Sequence, residues 1–277
     1  METITKDTLT NLIVSRLNEN KEYLKNSFEK SKSIIGVRYC YLDNLLPDYV
    51  ALSISTSFPK YYEMRHMNSF RENKYTSKSF EKFDPLLMDM TYAIQDIKVI
   101  YVIEEITTIK DQQADPSLYA GGLSMMPKNC FLNPHIDNSH DGNRINYRTL
   151  NLLYYASNDW KEEYGGNLEL WDNKVKNKIM VHSKFNRLVL METNPWSWHS
   201  VSKVEVEQSR NCISNYYFSK YSPIGKNYFN ITSYSARPEQ RFRSVQFKAD
   251  NLFRKSLRFL FPYGLGKRDI YISLKNK

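Results

Sequence analysis

Residues 133–140 read Asn-Pro-His-Ile-Asp-Asn-Ser-His and put two side chains capable of metal or proton chemistry two positions apart, His135 and Asp137. On an extended strand alternate residues share a face, so this imidazole and this carboxylate would aim at one point. Together they suit a first-row metal. A lone His-x-Asp is more often a surface histidine hydrogen-bonded to its neighbour, so the metal reading needs a third group.

That group is His199, well downstream in Asn-Pro-Trp-Ser-Trp-His-Ser-Val. Two histidines and one carboxylate on one face of an octahedral metal leave three positions open, the arrangement of non-haem Fe(II) oxygenases. Arg210 follows His199 and opens the apolar stretch Arg-Asn-Cys-Ile-Ser-Asn-Tyr-Tyr-Phe. On a strand Arg210, Cys212, Ser214 and Tyr216 project to one side. A guanidinium fork and a hydroxyl, Arg210 and Ser214, suit one end of a dicarboxylate.

These residues need strands to hold them. From 118 to 222 short β-rich segments alternate with polar turns at meander or barrel spacing, so an all-β core is expected there. Asn151, Leu153 and Tyr155 alternate on one such segment, and an inward Asn suits a pocket better than a dry core. Ahead of this core, residues 5–32 keep a helical spacing through Leu9, Leu12, Ile13, Leu17, Tyr23, Leu24 and Phe28. Ile-Lys-Val-Ile-Tyr-Val-Ile-Glu-Glu-Ile (97–106) fits a buried strand or a helix end. The expected fold class is mainly β with flanking helices (α+β). Residues 1–95 form a helix-rich N-terminal support region of the same domain, 96–222 the core, and 223–277 a basic C-terminal extension.

Composition bounds the partners. The 277-residue chain carries a net charge of +9, which favours something acidic: nucleic acid, anionic lipid, or a phosphorylated or carboxylated small molecule. Three cysteines, Cys40, Cys130 and Cys212, have neither disulfide nor metal-finger spacing, so a reducing cytoplasm is the expected home. The N-terminus carries acids early and lacks an apolar core, so no signal peptide is expected. No run approaches the roughly 20 apolar residues of a membrane span.

The ordered set His135-Ile-Asp137, Tyr-Arg-Thr-Leu-Asn-Leu-Leu-Tyr-Tyr (147–155), Gly-Gly-Asn-Leu-Glu-Leu-Trp-Asp (165–172), His199-Ser-Val and Arg210 onward resembles the iron(II)- and 2-oxoglutarate-dependent oxygenase superfamily, in its bacterial-type, prolyl 4-hydroxylase-like members. The resemblance extends to Ile-Thr-Ser-Tyr-Ser-Ala-Arg-Pro-Glu-Gln (231–240), a segment that follows the core in many bacterial members. It implies a double-stranded β-helix, or jelly roll, with the metal at its open end. It implies that His135, Asp137 and His199 bind Fe(II), and that Arg210, Ser214 and Tyr155 hold the distal carboxylate of 2-oxoglutarate. Asn151 and Val201 would line the co-substrate. The implied reaction hydroxylates an unactivated C–H of a small-molecule, glycan-precursor or peptidyl substrate, releasing succinate and CO2, with O2 as oxidant and ascorbate as an accessory. Asp137 speaks against halogenation, because the related halogenases have a small residue there. The glycine usual before the His-x-Asp strand is missing, and Asn129 is the residue able to adopt its left-handed conformation. Met125 replaces a tyrosine of the oxygen-sensing hydroxylases, which argues against transferring their substrate.

Competing readings are a catalytically silent or zinc-binding module on the same fold, and a nucleic-acid demethylase of the AlkB type. The AlkB family adds a second arginine where this chain has Tyr216, so nucleic acid is disfavoured. Arg148 is a candidate to meet an anionic substrate at the mouth, and Trp198 to shape the way in. Trp160 and Trp171 read as packing residues, as do Trp196 and Trp198 unless, flanking His199, they shape the substrate entry, and His66, His140 and His182 read as structural or surface. Loops at 60–90, 111–118 and 138–147 are expected to choose the substrate. Residues 250–262 carry a helical stripe of Leu252, Phe253, Leu257, Leu260 and Phe261 beside Arg254, Lys255 and Arg258. Two readings stand for it: weak association with an anionic membrane surface, or a helix packed on the domain with its basic face in solvent.

Overall fold

The helical spacing over 5–32 is realised as two helices, α1 (Lys6–Glu19) and α2 (Lys21–Ile35). The structure is a computed structural model that describes residues 4–78, 80–240 and 242–261. The break falls at Asn20, whose side-chain amide donates to the Arg16 carbonyl at 2.9 Å. Asparagine competes in this way for backbone partners and so favours helix ends. Gly36, left-handed at φ 84°, ends α2. Leu9, Ile13, Leu17, Leu24 and Phe28 form the buried stripe.

Residues 97–106 are helical, within α5 (Ile97–Thr107), which joins α3 (Asp48–Thr56) and α4 (Pro85–Ile94) on the same side. The Asp96 carboxylate caps α5 by accepting from the Lys98 amide at 3.1 Å. Val99, Ile103 and Ile106 then fall on one buried face. Packing of that face outweighs the strand preference of β-branched residues.

Twelve strands follow in chain order: β1 (Tyr39–Leu42), β2 (Arg65–Asn68), β3 (Glu72–Thr76), β4 (Gly122–Met126), β5 (Phe131–Ile136), β6 (Tyr147–Tyr155), β7 (Leu168–Trp171), β8 (Lys178–Val181), β9 (Arg187–Glu192), β10 (His199–Val201), β11 (Arg210–Ser219) and β12 (Ser233–Tyr234). They form one curled antiparallel sheet of jelly-roll type, ordered β1-β9-β6-β11-β4-β3-β5-β10-β7-β8, with β2 on β3 and β12 on β5. The stretch before residue 95 therefore contributes three strands as well as helices, and β3 wedges between β4 and β5.

Every residue of β6 is buried, because both faces of that strand are covered. Leu150, Leu152 and Tyr154 pack with the helices, while Leu153 and Tyr155 face the inside with Leu168, Val189 and Cys212. A register shift opposite Tyr217 and Phe218 interrupts this alternation and pairs Phe218 with Arg148. A bulge of this kind re-aims a side chain, and here Arg148 joins the inner face with Asn151.

Helix α6 (Arg243–Leu260) lies across β12 and buries Phe247. Of its expected basic face only Lys255 is exposed: Arg254 and Arg258 are half-buried, while Leu252, Phe253 and Leu260 are exposed. Leu257, expected on the same stripe, turns inward and is half-buried. Residue 262 lies outside the described residues.

The turn into β7 depends on Gly165, at φ 75° and ψ −156°, a region open essentially to glycine alone. A Cβ there would lie 1.9 Å from the Lys203 carbonyl oxygen. Gly165→Ala is expected to cost about 3 kcal/mol or more. Gly225 is also left-handed but has open space around it, so Gly225→Ala should cost only about 1 kcal/mol. Urea unfolding of the two variants checks the contrast.

Candidate metal centre

Antiparallel pairing of β5 with β10 sets His135 directly opposite His199. Asp137 follows the end of β5. Its Oδ1 lies 3.5 Å from His135 Nε2 and its Oδ2 3.7 Å from His199 Nε2. The three ligand atoms lie within 4.8 Å of one another, and no other such cluster occurs among the described residues. Each histidine Nδ1 sits at hydrogen-bond distance from a backbone carbonyl two residues earlier, Asn133 at 3.1 Å and Ser197 at 3.0 Å. Carbonyls only accept, so both Nδ1 atoms carry a proton, and in the neutral ring each Nε2 lone pair points at the shared space.

The electrostatics favour the same state. Burial alone would raise the Asp137 carboxyl, but the Arg148 guanidinium, with His135 and His199, holds it well below the usual carboxylate range. Burial, reinforced by His135, pushes His199 down to about 4. An ionised carboxylate and a neutral imidazole are the forms a metal requires. The donor set and its geometry fit Fe(II).

The three ligands open on a cavity of about 330 Å³. Asn151, Val201, Arg210 and Ser214 line it, together with Leu153 and Leu168. Arg210 is 3% exposed, and its Nε has no hydrogen-bond partner. Its stem packs against Gly166, where a Cβ would come within 3.1 Å. Tyr155 is wholly buried behind this lining, with its ring 4.8 Å from the Arg210 guanidinium carbon.

Two expected substrate contacts are placed differently. Arg148 is 1% exposed and stands 3.4 Å from Asp137 Oδ2, with its guanidinium on the Tyr216 ring at 3.9 Å. It neutralises a ligand from deep inside the site and does not sit at the mouth. Trp198 is half-buried and is not among the residues lining the cavity. His140 packs on Tyr147, His182 meets the Trp160 carbonyl, and His66 stacks on Tyr75, all outside the cavity.

Other residues at the site escaped the sequence reading. From 60–90 the cavity takes Arg65 and Met67 of β2 and Glu72, Lys74 and Thr76 of β3, which are strand residues. Tyr234 stacks on His135, ring centroids 5.5 Å apart, and Thr232 and Arg254 complete the rim. Beneath His199, Glu169 is 1% exposed and accepts from Ser200 Oγ at 2.5 Å, from Arg237 at 2.6 Å and from Lys178. Arg237 also donates to the Val201 carbonyl at 3.1 Å. Asn129 is left-handed at φ 66°, as its place before the His-x-Asp strand suggested.

Residues 121–218 match the sequence model of the 2OG-Fe(II) oxygenase superfamily, a span that contains all three ligands, Arg210 and Ser214. No curated protein matches the chain. Among solved structures it is similar to a prolyl hydroxylase of Trichoplax adhaerens, in complex with a hypoxia inducible factor oxygen degradation domain peptide fragment, at 17% identity and TM-score 0.52, over 73% of this chain and 92% of that one. It is similar to a prolyl-4-hydroxylase of Pseudomonas putida at 12% identity and TM-score 0.54, over 71% and 98%. The prolyl 4-hydroxylases of Phytophthora capsici give 15% identity and TM-score 0.54, over 93% and 80%. At these identities the structural likeness is one of fold.

Removing any one of His135, Asp137 or His199 by alanine substitution should weaken Co(II) binding by more than roughly 100-fold, beyond the loss typical of an outer partner. Calorimetric titration reads this directly. Glu169→Gln leaves Arg237 and Lys178 without their buried counter-charge and should cost about 3–5 kcal/mol at neutral pH. Burial would raise Glu169, but Arg237, Lys178 and Ser200 outweigh it and its carboxyl is held below the ordinary 4.5. Below that pH the unfolded chain takes up a proton before the folded one does. The stability Glu169 contributes is therefore present at neutral pH and lost as pH falls through the folded value. The acid limb of a pH-stability curve should be flatter in Glu169→Gln than in wild type.

Proposed function

We propose that this chain, whose core is that of the 2OG-Fe(II) oxygenase superfamily in its prolyl 4-hydroxylase-like form, hydroxylates an unactivated C–H of a small-molecule, glycan-precursor or peptidyl substrate. Fe(II), 2-oxoglutarate and O2 are the cofactors that go with such a core. One observation carries the reading. Arg210 is a buried guanidinium with no carboxylate partner among the described residues, and it lines the same cavity as the three ligands. A buried charge left unpaired costs several kcal/mol. The distal carboxylate of 2-oxoglutarate supplies the missing counter-ion, and the Ser214 hydroxyl adds a donor beside it.

Bound Fe(II) supplies the oxidising chemistry, in which 2-oxoglutarate and O2 become succinate and CO2 and one oxygen atom enters the substrate C–H. The chain's own residues prepare that step. His135 and His199 are held as the tautomer that presents Nε2, and Arg148 keeps Asp137 ionised. Leu153, Leu168 and Val201 exclude water around the co-substrate, and the Tyr155 ring holds the Arg210 guanidinium from behind. Asn151 Oδ1, buried without a partner, is an acceptor for a group entering the cavity. At the rim Arg65, Lys74 and Arg254 stand with Glu72, which pairs with Lys74 at 3.0 Å.

Anaerobic titration with Fe(II) and 2-oxoglutarate tests the assignment through the visible charge-transfer band of the chelate. The band should vanish in His199→Ala. In Arg210→Ala the affinity for 2-oxoglutarate should fall by roughly 30-fold or more, equivalent to about 2 kcal/mol. No band in folded, iron-loaded protein would overturn the co-substrate reading in favour of a zinc-binding or silent module.

A further inference from the structure

Helix α6 packs on the domain through its polar side. Asp250 accepts from Arg71 at 2.7 Å. Asn251 makes a reciprocal pair with the Tyr234 backbone, accepting from its amide at 2.9 Å and donating to its carbonyl at 2.6 Å. Arg254 donates to the Thr232 carbonyl at 2.9 Å. Phe247, against Phe70 with ring centroids 5.1 Å apart, is the helix's one buried side chain. The opposite face carries Val245, Leu252, Phe253, Phe259 and Leu260, exposed by 75, 68, 63, 85 and 67%. Lys248 and Lys255, also exposed, border it. A helix of a soluble domain ordinarily faces the other way, with its apolar stripe on the core. A contiguous apolar face in solvent marks an interaction site.

We propose that this face of α6 docks the protein on an anionic lipid surface. Phenylalanines and leucines flanked by lysines are the composition of a helix lying in the membrane interface. The chain's net charge of +9 draws it to a negative surface. No described helix is long and apolar enough to cross a membrane, so the contact is peripheral. The polar side of the same helix places Arg254 on the rim of the metal cavity. Arg254 and Arg258, with Tyr119 and Asn138, also line an adjoining groove. Docking therefore holds the cavity mouth about one helix diameter, roughly 10 Å, from the headgroups. The proposal stands on α6 alone and is independent of the reaction assigned to the metal site.

The test is sedimentation of the full chain with vesicles of phosphatidylcholine alone and of phosphatidylcholine mixed with phosphatidylglycerol. The protein should pellet with the anionic vesicles, less so as salt rises, and stay in solution with the neutral ones. Lys248→Glu/Lys255→Glu and Phe253→Ser/Phe259→Ser should each lower partitioning by at least roughly tenfold. Both pairs point away from the domain, so thermal melting and Co(II) binding should be unchanged. Three outcomes would overturn the proposal. Equal binding to both vesicles removes the role of charge. Self-association lost in the phenylalanine variant, without vesicle binding, makes a second copy the occupant. A monomer that ignores both vesicles removes lipid as the occupant of this face.

Discussion

Everything at the metal centre depends on the register of β5 against β10. A slip of one residue would turn His199 away from His135, because side chains alternate faces along a strand. The register is pinned from both flanks. Strand β7 sets Leu170 opposite His199 and Glu169 opposite Ser200, while β3 and β12 hold β5 from its own side. The Glu169 carboxylate ties Ser200, Arg237 and Lys178 together, and Trp171 donates to Ser200 Oγ at 2.8 Å. A slip would strand those buried polar groups without partners. Ligand geometry is thus guarded by charge pairing as much as by the ladder.

Two buried arginines near the ligands show how the site uses charge. Arg148 has a carboxylate at 3.4 Å and an aromatic ring beneath it, so its charge is compensated within the protein. Arg210 has an aromatic ring behind it and the Met126 sulfur 3.9 Å away, with no carboxylate beside it among the described residues. One arginine conditions a ligand, and the other has an aromatic ring for its neighbour in place of a carboxylate. The difference lies in the neighbours, since burial is nearly the same for both.

The segment after the core serves the site as well. Tyr234 stacks on His135, Arg237 braces the strands carrying the ligands, and Arg254 reaches the cavity rim. In supplying these polar contacts inward, α6 is left with its apolar side outward. The orientation follows from what β12 and the residue before it present: backbone groups at Thr232 and Tyr234 that call for polar partners.

The parts of the site legible in the sequence are those governed by local periodicity. His135 and Asp137 share a face because they are two apart on extended chain, and Arg210 with Ser214, or Asn151 with Leu153, obey the same rule. The ordered motifs between 119 and 222 carried the fold class and the three ligands. Tertiary structure decided whatever depends on a neighbour distant in the chain. A bulge opposite Tyr217 and Phe218 carried Arg148 to the inner face, against the parity of its strand. Packing turned 97–106 into helix, and Asn20 divided the helix expected over 5–32. Trp198 lies next to His199 in sequence yet lines no part of the cavity, and Glu169 meets Arg237 only because β7 and the segment after β11 converge. The apolar stripe of α6 was visible from its spacing, but which side faces water was not. A helical period sets which residues share a face, and only the partner surface selects the face that is buried.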